Sequence, residues 1–428
     1  MTKHLRYARY AIETLLVNAL IGSTLYQLAV YLTNRRFWRQ APPPPAESAP
    51  PVSAVIPLRG KTLDTLALLH VMAINAPTAD YELLLVMESE RDPAYAPAQQ
   101  VADSYPGRAR IVLSGPPGSH AEELHKLNVG YQVARGDLIA FVDAQVQVGA
   151  GLWHAALAAL QDPSVGAVFA PPLAAEPEHR SESGLGAGGE MLSALHLNHA
   201  QTAPIPFAAF GDRLNALANG FMVVRRRALD EAGGMLHLLD EGSDGISLGR
   251  ALRETGWRIA AIPVPALIVP KQESFNEAVS RLRRHLIVSR AYSRPTFIAW
   301  PFTNPLTVGL LLGFITEREG RWWGHRTWWA FVALRLAIAY ELDRVRFGRG
   351  FTWMAYAQLF MLDTFIAPAL WARALFQRTF TWRGRTYRIA RGGKVTAVEG
   401  SDRCSVVGVQ LPVVSGQSDQ ESRRPPHR

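Results

Sequence analysis

The chain has 428 residues, which gives room for about two or three domains of the usual size. Its net charge of +9 would suit a nucleic-acid partner, but the arginines cluster beside apolar segments, and that placement favours anionic lipid head groups. We therefore expect a membrane, and no nucleic acid, as a partner. The single cysteine, Cys404, excludes an internal disulfide framework and a cysteine-built metal site.

The segment 10–32 is apolar over roughly the 20 residues that a helix needs to cross a bilayer. Glu13 is its only charged residue, and basic residues flank the segment on both sides. Its end lacks the small-residue cleavage site of a signal peptide, so the pattern predicts an uncleaved membrane anchor at 1–40. The proline-rich stretch 41–51 is expected to be a stiff, extended linker.

Short apolar runs alternate with helical patterns across 52–272, which predicts an α/β domain with a mostly parallel sheet. The expected strands are 52–58, 82–87, 109–113, 138–142, 165–170, 221–224 and 258–262, and the expected helices are 63–74, 122–134, 152–160 and 246–254. Asp143 follows an entirely apolar strand, at the sheet edge where open α/β sheets bind ligands. The stretch 176–217 is rich in Gly, Ala and His with weak periodicity, and we expect an inserted or mobile segment there.

The stretch 273–294 carries apolar residues on one side and arginines on the other, which predicts a basic interfacial helix. Three further apolar segments predict membrane helices within 295–376; they are 297–315, 328–340 and 351–376. The middle one contains Arg335, which indicates a re-entrant segment or one packed against other helices.

The basic stretch 377–399 is expected on the cytoplasmic side, followed by a disordered tail at 400–428. An anchor plus three full crossings would put this stretch outside. For this stretch to be cytoplasmic, one of the later apolar segments must not make a single full crossing of the membrane.

Eight short motifs follow one another along the chain. They are Pro57-Leu-Arg-Gly60, Glu88-Ser-Glu-Arg-Asp92-Pro-Ala94, His125-Lys-Leu-Asn128, Asp137-Leu-Ile-Ala-Phe-Val-Asp143, Ala232-Gly-Gly234, Gly256-Trp-Arg258, Arg281-Leu-Arg-Arg284 and Thr381-Trp-Arg-Gly-Arg-Thr-Tyr-Arg388. In this order the set resembles the ceramide glucosyltransferase family, including its bacterial members and the hopanoid-associated glycosyltransferases, over about residues 10–390.

The resemblance implies an inverting transferase with an α/β, nucleotide-diphospho-sugar transferase-like fold. It also implies one N-terminal transmembrane helix, a C-terminal membrane helical bundle, and a multi-pass location in the inner membrane with the catalytic domain cytoplasmic. The activity would move a hexose from a UDP-sugar donor to the hydroxyl of a lipid acceptor, with a ceramide-like lipid favoured. A hopanoid-polyol N-acetylglucosaminyltransferase is the alternative.

The resemblance assigns three residues to the donor nucleotide. Asp92 matches the first family aspartate, near the base or ribose, and Lys126 matches a lysine near the nucleotide. Asp143 matches the second aspartate, which holds the metal, Mg2+ or Mn2+, and the diphosphate. On the residues alone, Asp92 and Asp143 are equally typical of turns or caps, and Lys126 of a solvated helix face. Gln145 stands where many bacterial members have a second acidic residue, but diphosphate oxygens and water can complete the coordination of Mg2+.

Arg281 and Arg284 match a Gln/Arg-x-x-Arg-Trp motif that would close over the diphosphate. Guanidinium suits this role because its planar fork donates two hydrogen bonds to a phosphate at once, although contact with anionic lipid would also explain the arginines. His285 stands in place of the tryptophan, which removes the apolar cover of that ring.

Inverting transfer needs a carboxylate that takes the proton from the acceptor hydroxyl. By comparison with the family, the usual position of this base falls on Gly245, with Asp244 one residue earlier. We therefore expect Asp244 to supply the base, with Asp240 and Glu241 as fallback candidates; a simple N-cap role for Asp244 is the alternative. His199 lies in the region that would approach the lipid acceptor and is a candidate for binding it.

Two other classes of function compete with this reading. The changes at 145, 245 and 285 would also suit a non-catalytic, membrane-anchored protein that binds a sugar nucleotide or a lipid. A processive polysaccharide synthase usually needs a larger transmembrane channel than three apolar segments supply.

Overall fold

A seven-stranded sheet forms the centre of the region that follows the N-terminal helix. The strands of the protein are β1 Val52–Pro57, β2 Tyr81–Met87, β3 Ala109–Leu113, β4 Leu138–Val142, β5 Val146–Gln147, β6 Val165–Phe169, β7 Pro172–Ala174, β8 Phe221–Arg225, β9 Arg258–Ala261, β10 Ala266–Ile268, β11 Thr379–Trp382, β12 Arg385–Ile389 and β13 Val395–Ala397. The large sheet has the order β3-β2-β1-β4-β8-β6-β9. Only β8 runs antiparallel to its neighbours, β4 and β6, so the sheet is mostly parallel as predicted.

The computed structural model describes residues 3–41, 49–60, 64–118, 120–177, 187–269, 273–318, 323–382 and 385–398. The middle of the predicted linker, 42–48, and the predicted tail at 400–428 lie outside the described residues. The helices are α1 Lys3–Phe37, α2 Thr65–Ile74, α3 Tyr95–Ser104, α4 Glu122–Val133, α5 Ala150–Ala159, α6 Ala187–His196, α7 Ile205–Phe210, α8 Arg226–Glu231, α9 Asp244–Glu254, α10 Phe275–Tyr292, α11 Arg294–Ala299, α12 Pro305–Glu317, α13 Trp323–Phe347, α14 Trp353–Met361 and α15 Ala367–Ala374.

The seven strands expected from the apolar runs are all present in the large sheet, within one or two residues at their ends. Strands β4 and β6 are buried along their whole length because apolar clusters cover both faces of the sheet. This double burial explains why each strand is apolar throughout instead of alternating. The chain reverses direction at β8, and the β4–β8 pair places Asp143 next to Gly220.

The described part of 176–217, where an inserted or mobile segment was expected, is mostly helical. Helix α6, a π-helical turn Leu197–Thr202 and α7 occupy most of it. Helix α6 packs closely on α10, and its apolar residues join the same buried cluster as those of α10 and α15. The weak periodicity in the sequence arises because small residues, such as Gly189, permit close approach of two backbones.

Helix α10 forms where a basic interfacial helix was expected, but protein covers its apolar side. Leu282, Leu286 and Ile287 are buried in the cluster shared with α6 and α15. A capping box formed by Ser274 and Glu277 defines the start of the helix. The arginines on the other side therefore belong to a helix that is part of the protein core.

The apolar segments after α10 fold into packed helices joined to a small C-terminal sheet. Helices α12 and α13 form a hairpin, and α1 packs against α12. The expected segment at 328–340 is part of the much longer α13, and its Arg335 is paired with Asp363, 2.9 Å away. By length and composition, α1 can cross a membrane over Arg9–Phe37, and α11 with α12 passes the same test as a pair bent by 64°.

We expect Gly189→Ala to destabilise the protein, because a Cβ at this position would collide with the backbone of Glu273 and Ser274. Overpacking of this kind costs about 1–3 kcal/mol in the free energy of unfolding. Gly188→Ala is the matched control, since its Cβ would meet nothing within 4 Å. Thermal unfolding of the purified variants in detergent measures the difference; equal midpoints for the two variants would contradict this packing.

Candidate active site

A cavity of about 580 Å³ opens at the carboxyl end of β4, between that strand and helices α9 and α10. It brings together six of the residues singled out from the sequence, among them the fallback base Glu241; the other fallback, Asp240, does not line it. The six are Asp143, Glu241, Asp244, Arg281, Arg284 and His285. Apolar residues of α7, Ile205 and Ala208, form part of the opposite wall. The cavity thus combines carboxylates and guanidinium groups with an apolar surface.

Asp143 projects into this cavity from the end of β4. Its backbone N–H donates to the carbonyl of Gly220 at 2.8 Å, and its Oδ1 accepts from the backbone N–H of Gln145 at 3.0 Å. The side chain is exposed to the cavity. Such a carboxylate fits a hard divalent cation whose other ligands are diphosphate oxygens and water. Within the described ranges, no group of three or more His, Cys, Asp or Glu side chains is arranged to hold a metal by itself.

Asp244 is the first residue of α9 and is only 8% exposed. Burial raises the pKa of its carboxyl group above the usual range, and the negative charge of Asp143 raises it further. The side-chain amide of Asn219 donates to Oδ1 at 2.7 Å and opposes this shift of the pKa. A carboxylate with a raised pKa is a stronger base, which suits a group that must accept a proton from a hydroxyl.

Gly245 has no space for a side chain. A Cβ at this position would collide with the carbonyl oxygen of Leu217 and would lie 2.7 Å from Oδ1 of Asn219. The backbone N–H of Leu217 also donates to the carbonyl of Gly245 at 2.9 Å, so the two segments are tied together. A carboxylate therefore cannot occupy position 245 in this packing, and Asp244 is the acidic residue of α9 that lines the cavity.

The two arginines of α10 are three residues apart, which places them on the same side of the helix. Arg281 is anchored by Glu273 at 2.9 Å, and Glu273 in turn accepts a hydrogen bond from Ser193 of α6 at 2.6 Å. The guanidinium of Arg284 lies over the ring of Trp382, 5.1 Å from its centroid. Both arginines thus present positive charge to the cavity from supported positions.

His285 opens onto the cavity and meets the ring of the buried His196 edge-to-face, with the centroids 5.4 Å apart. Burial lowers the pKa of His196 to about 3, with the charges of His285 and Arg281 adding to the effect. Surrounding protein and the charge of Arg284 also lower the pKa of His285. Both shifts favour the uncharged imidazole, so the arginines are the main source of positive charge on this wall.

Asp92, in the loop between β2 and α3, and Lys126, on α4, do not line the cavity. Oδ1 of Asp92 accepts from the backbone N–H groups of Gly60 at 2.8 Å and Ala94 at 2.9 Å. Lys126 is buried and donates to the carbonyl of Leu58 at 2.7 Å and to Glu122 at 2.6 Å. Both side chains therefore hold the loop after β1 against its neighbours.

His199 lies away from the cavity, on the far side of the π-helical turn that contributes Leu197 to the cavity wall. Its Nε2 is 3.3 Å from Oδ2 of Asp343 on α13, and both side chains are buried. The structure thus places His199 between the catalytic domain and α13.

Two residues of the site were given no role in the sequence analysis. Asn219 orients the buried carboxylate, and the only signal for it is its position just before β8. Trp382 belongs to a motif quoted for the resemblance, yet a linear motif does not reveal that β11 returns to the cavity and sets this ring against Arg284.

Comparison with known proteins agrees with this arrangement. The chain matches the model of glycosyl transferase family 21 over residues 14–395. The chain belongs to this family. Ceramide glucosyltransferase 1 of Caenorhabditis elegans is 20% identical over 367 residues, which cover 84% of this chain and 76% of that protein. Ceramide glucosyltransferase 3 of the same organism is 21% identical over 182 residues, or 40% of this chain and 38% of that protein.

A solved structure shares the fold of this family member. The mannosyltransferase from Pyrobaculum calidifontis, in complex with GDP-Man and Mn2+, aligns with a TM-score of 0.50 at 15% identity, covering 85% of this chain and 99% of that chain. The resemblance to the ceramide glucosyltransferase family is therefore confirmed, and with it the α/β fold of a glycosyltransferase.

We expect Asp244→Asn to stabilise the protein at neutral pH and not in acid. Because burial raises the pKa of Asp244 in the folded state, the folded protein keeps a proton that the unfolded chain releases. Wild-type stability therefore falls as the pH rises from the ordinary pKa of an aspartate to the raised one, a loss that Asn avoids. Asp103→Asn, at an exposed site on α3, is the control. A difference in unfolding midpoint that does not grow with pH would contradict the buried charge.

Proposed function

We propose that this protein is a membrane-bound inverting glycosyltransferase that moves a hexose from a UDP-sugar to the hydroxyl of a ceramide-like lipid. The observation that carries the proposal is the single cavity in which the buried Asp244 faces Asp143 and the arginines of α10. The names of the two Caenorhabditis elegans relatives support the choice of acceptor.

The donor side of the cavity suits a sugar diphosphate. Arg281 and Arg284 would each donate hydrogen bonds to phosphate oxygens, and Asp143 would hold Mg2+ or Mn2+ against the same diphosphate. Such a cation, when bound, stabilises the negative charge that develops on the departing diphosphate. Asp92 and Lys126 would shape the neighbouring end of the sheet, on the nucleotide side.

The acceptor side provides the base for the transfer. The oxygen of the acceptor hydroxyl bonds to the anomeric carbon, and the bond from that carbon to the diphosphate oxygen breaks, with its electron pair leaving on UDP. The hydroxyl proton passes to the carboxylate of Asp244. Arg281 and Arg284 stabilise the charge on the leaving UDP. Attack from the face opposite the leaving group inverts the anomeric configuration.

The membrane location rests on α1 and on the apolar wall of the cavity. Helix α1 is long and apolar enough to cross a bilayer, and its large apolar side chains, among them Leu15, Leu25 and Leu32, are exposed. Helix α7 connects the two features, since Ile205 lines the cavity while Phe207 packs edge-to-face on Tyr26 of α1. A lipid would reach Asp244 from this side, with the catalytic domain on the cytoplasmic face.

We expect membranes that contain the protein to transfer label from a UDP-sugar to lipid, and Asp244→Asn to reduce the rate by about 10²–10⁴-fold, the usual contribution of a general base. A panel of labelled UDP-sugars is incubated with Mg2+ or Mn2+ and with ceramide, hopanoid polyol or total lipid, and lipid-soluble label is counted. Titration of the donor in the same membranes measures its binding.

Asp143→Asn is the matched comparison in this experiment. It removes a carboxylate from the same cavity but should weaken donor binding as well as transfer, whereas Asp244→Asn should leave donor binding intact. Donor binding by the wild type without transfer to any lipid would contradict the proposal and support a non-catalytic binding protein.

A further inference from the structure

The run from α14 through the π-helical turn Leu362–Ile366 to α15, called here the α14–α15 segment, begins and ends at the catalytic domain. Just before it, the backbone N–H of Thr352 donates to Glu176, which follows β7, at 2.8 Å. Just after it, Arg290 of α10 donates to the carbonyls of Leu375 and Gln377. The chain then continues into β11, whose Trp382 lines the cavity.

The middle of the α14–α15 segment is linked to the N-terminal helix through the residues at the start of α12. The side-chain amide of Asn304 donates to the carbonyl of Asp363 at 3.2 Å, and Gln27 of α1 donates to the neighbouring Thr303 at 2.9 Å. Gln27 precedes the end of α1 by a distance of about 15 Å at the rise of an α-helix. The centre of the segment therefore lies near the apolar part of α1.

The outward side of the α14–α15 segment is apolar and exposed. Met361 and Phe365 are each 47% exposed, and Trp353 is 77% exposed at the start. The exposed surface continues to Trp329 of α13, which stacks on Phe360. The charged groups of this region are buried and paired, since Asp363 of the segment lies 2.9 Å from Arg335 of α13.

The neighbouring helices show how the chain reaches this position. Arg9, near the start of α1, donates to the carbonyl of Ile315 at the end of α12 at 2.9 Å. Arg346, near the end of α13, donates to Asn34, near the end of α1, at 2.7 Å. Helix α13 thus returns along the full length of α1, so that its end and α14 lie beside the catalytic domain.

We propose that the α14–α15 segment is a re-entrant membrane surface, embedded in the leaflet next to the catalytic domain and not crossing the bilayer. This inference rests on the proposed anchoring of α1 in a membrane. The occupant of its exposed apolar side is lipid, because that side carries large exposed apolar side chains, as α1 does, and its charged groups are paired internally. Within the described residues, the chain then crosses along α1, α12 and α13, and the C-terminal sheet stays on the catalytic side.

Single cysteines in a Cys404→Ser background test this topology in proteoliposomes, with a membrane-impermeant maleimide added outside. Arg349→Cys and Arg378→Cys flank the α14–α15 segment at exposed positions. Asp103→Cys marks the catalytic domain, and Glu317→Cys marks the opposite end of α12. We expect the 349 and 378 variants to be labelled in the same vesicle population as the 103 variant, and the 317 variant in the population of opposite orientation.

Labelling of the 349 and 378 variants from opposite sides would overturn the re-entrant segment and leave the anchor intact. Labelling of the 103 and 317 variants from the same side would instead overturn the proposed anchoring. A fluorophore on Met361→Cys should be quenched by nitroxide-labelled lipid, whereas one on Asp103→Cys should not. Absence of quenching at 361 would show that the exposed side does not meet lipid.

Discussion

The site depends on a close contact between the start of α9 and the chain just before β8. Gly245 lies against the carbonyl of Leu217, and this approach buries Asp244 beside Asn219. The buried carboxylate gains basicity from its enclosure and from the charge of Asp143. A larger residue at 245 would separate the two segments, so Gly245 permits the packing that encloses the Asp244 carboxylate.

Helices α9 and α10, which bring Asp244 and two arginines to the cavity, are joined by the C-terminal sheet. The backbone N–H of Gly242, two residues before Asp244, donates to the carbonyl of Gly393 at 2.8 Å. The hydroxyl of Tyr292, at the end of α10, donates to Glu241 at 2.9 Å, and the ring of Tyr292 lies against Gly393. Helix α10 with its arginines and α9 with its carboxylate are thereby held in one framework.

The sequence predicts the large sheet well because its strands are buried on both faces, which makes their apolar runs continuous and easy to recognise. Asp143 could be placed for the same reason, at the end of such a strand. The structure of the region 187–217 could not be predicted from the sequence, because its small residues make contacts that depend on α10, far away in sequence. Trp382 and Asn219 were missed since their roles arise only when distant segments meet, and the environment of Asp244 is likewise a property of the folded packing.

The pH dependence of kcat, measured at saturating donor and lipid for the wild type and Asn219→Ala, tests the central role of Asp244 most directly. Activity should fall in acid as Asp244 is protonated. The hydrogen bond from Asn219 lowers the pKa of Asp244. Removal of this hydrogen bond should therefore move the acid limb of the profile, where activity is lost, to higher pH. Asn215→Ala, which also lines the cavity, should leave the limb in place. An acid limb that is the same in all three proteins would contradict the assignment of Asp244 as the base.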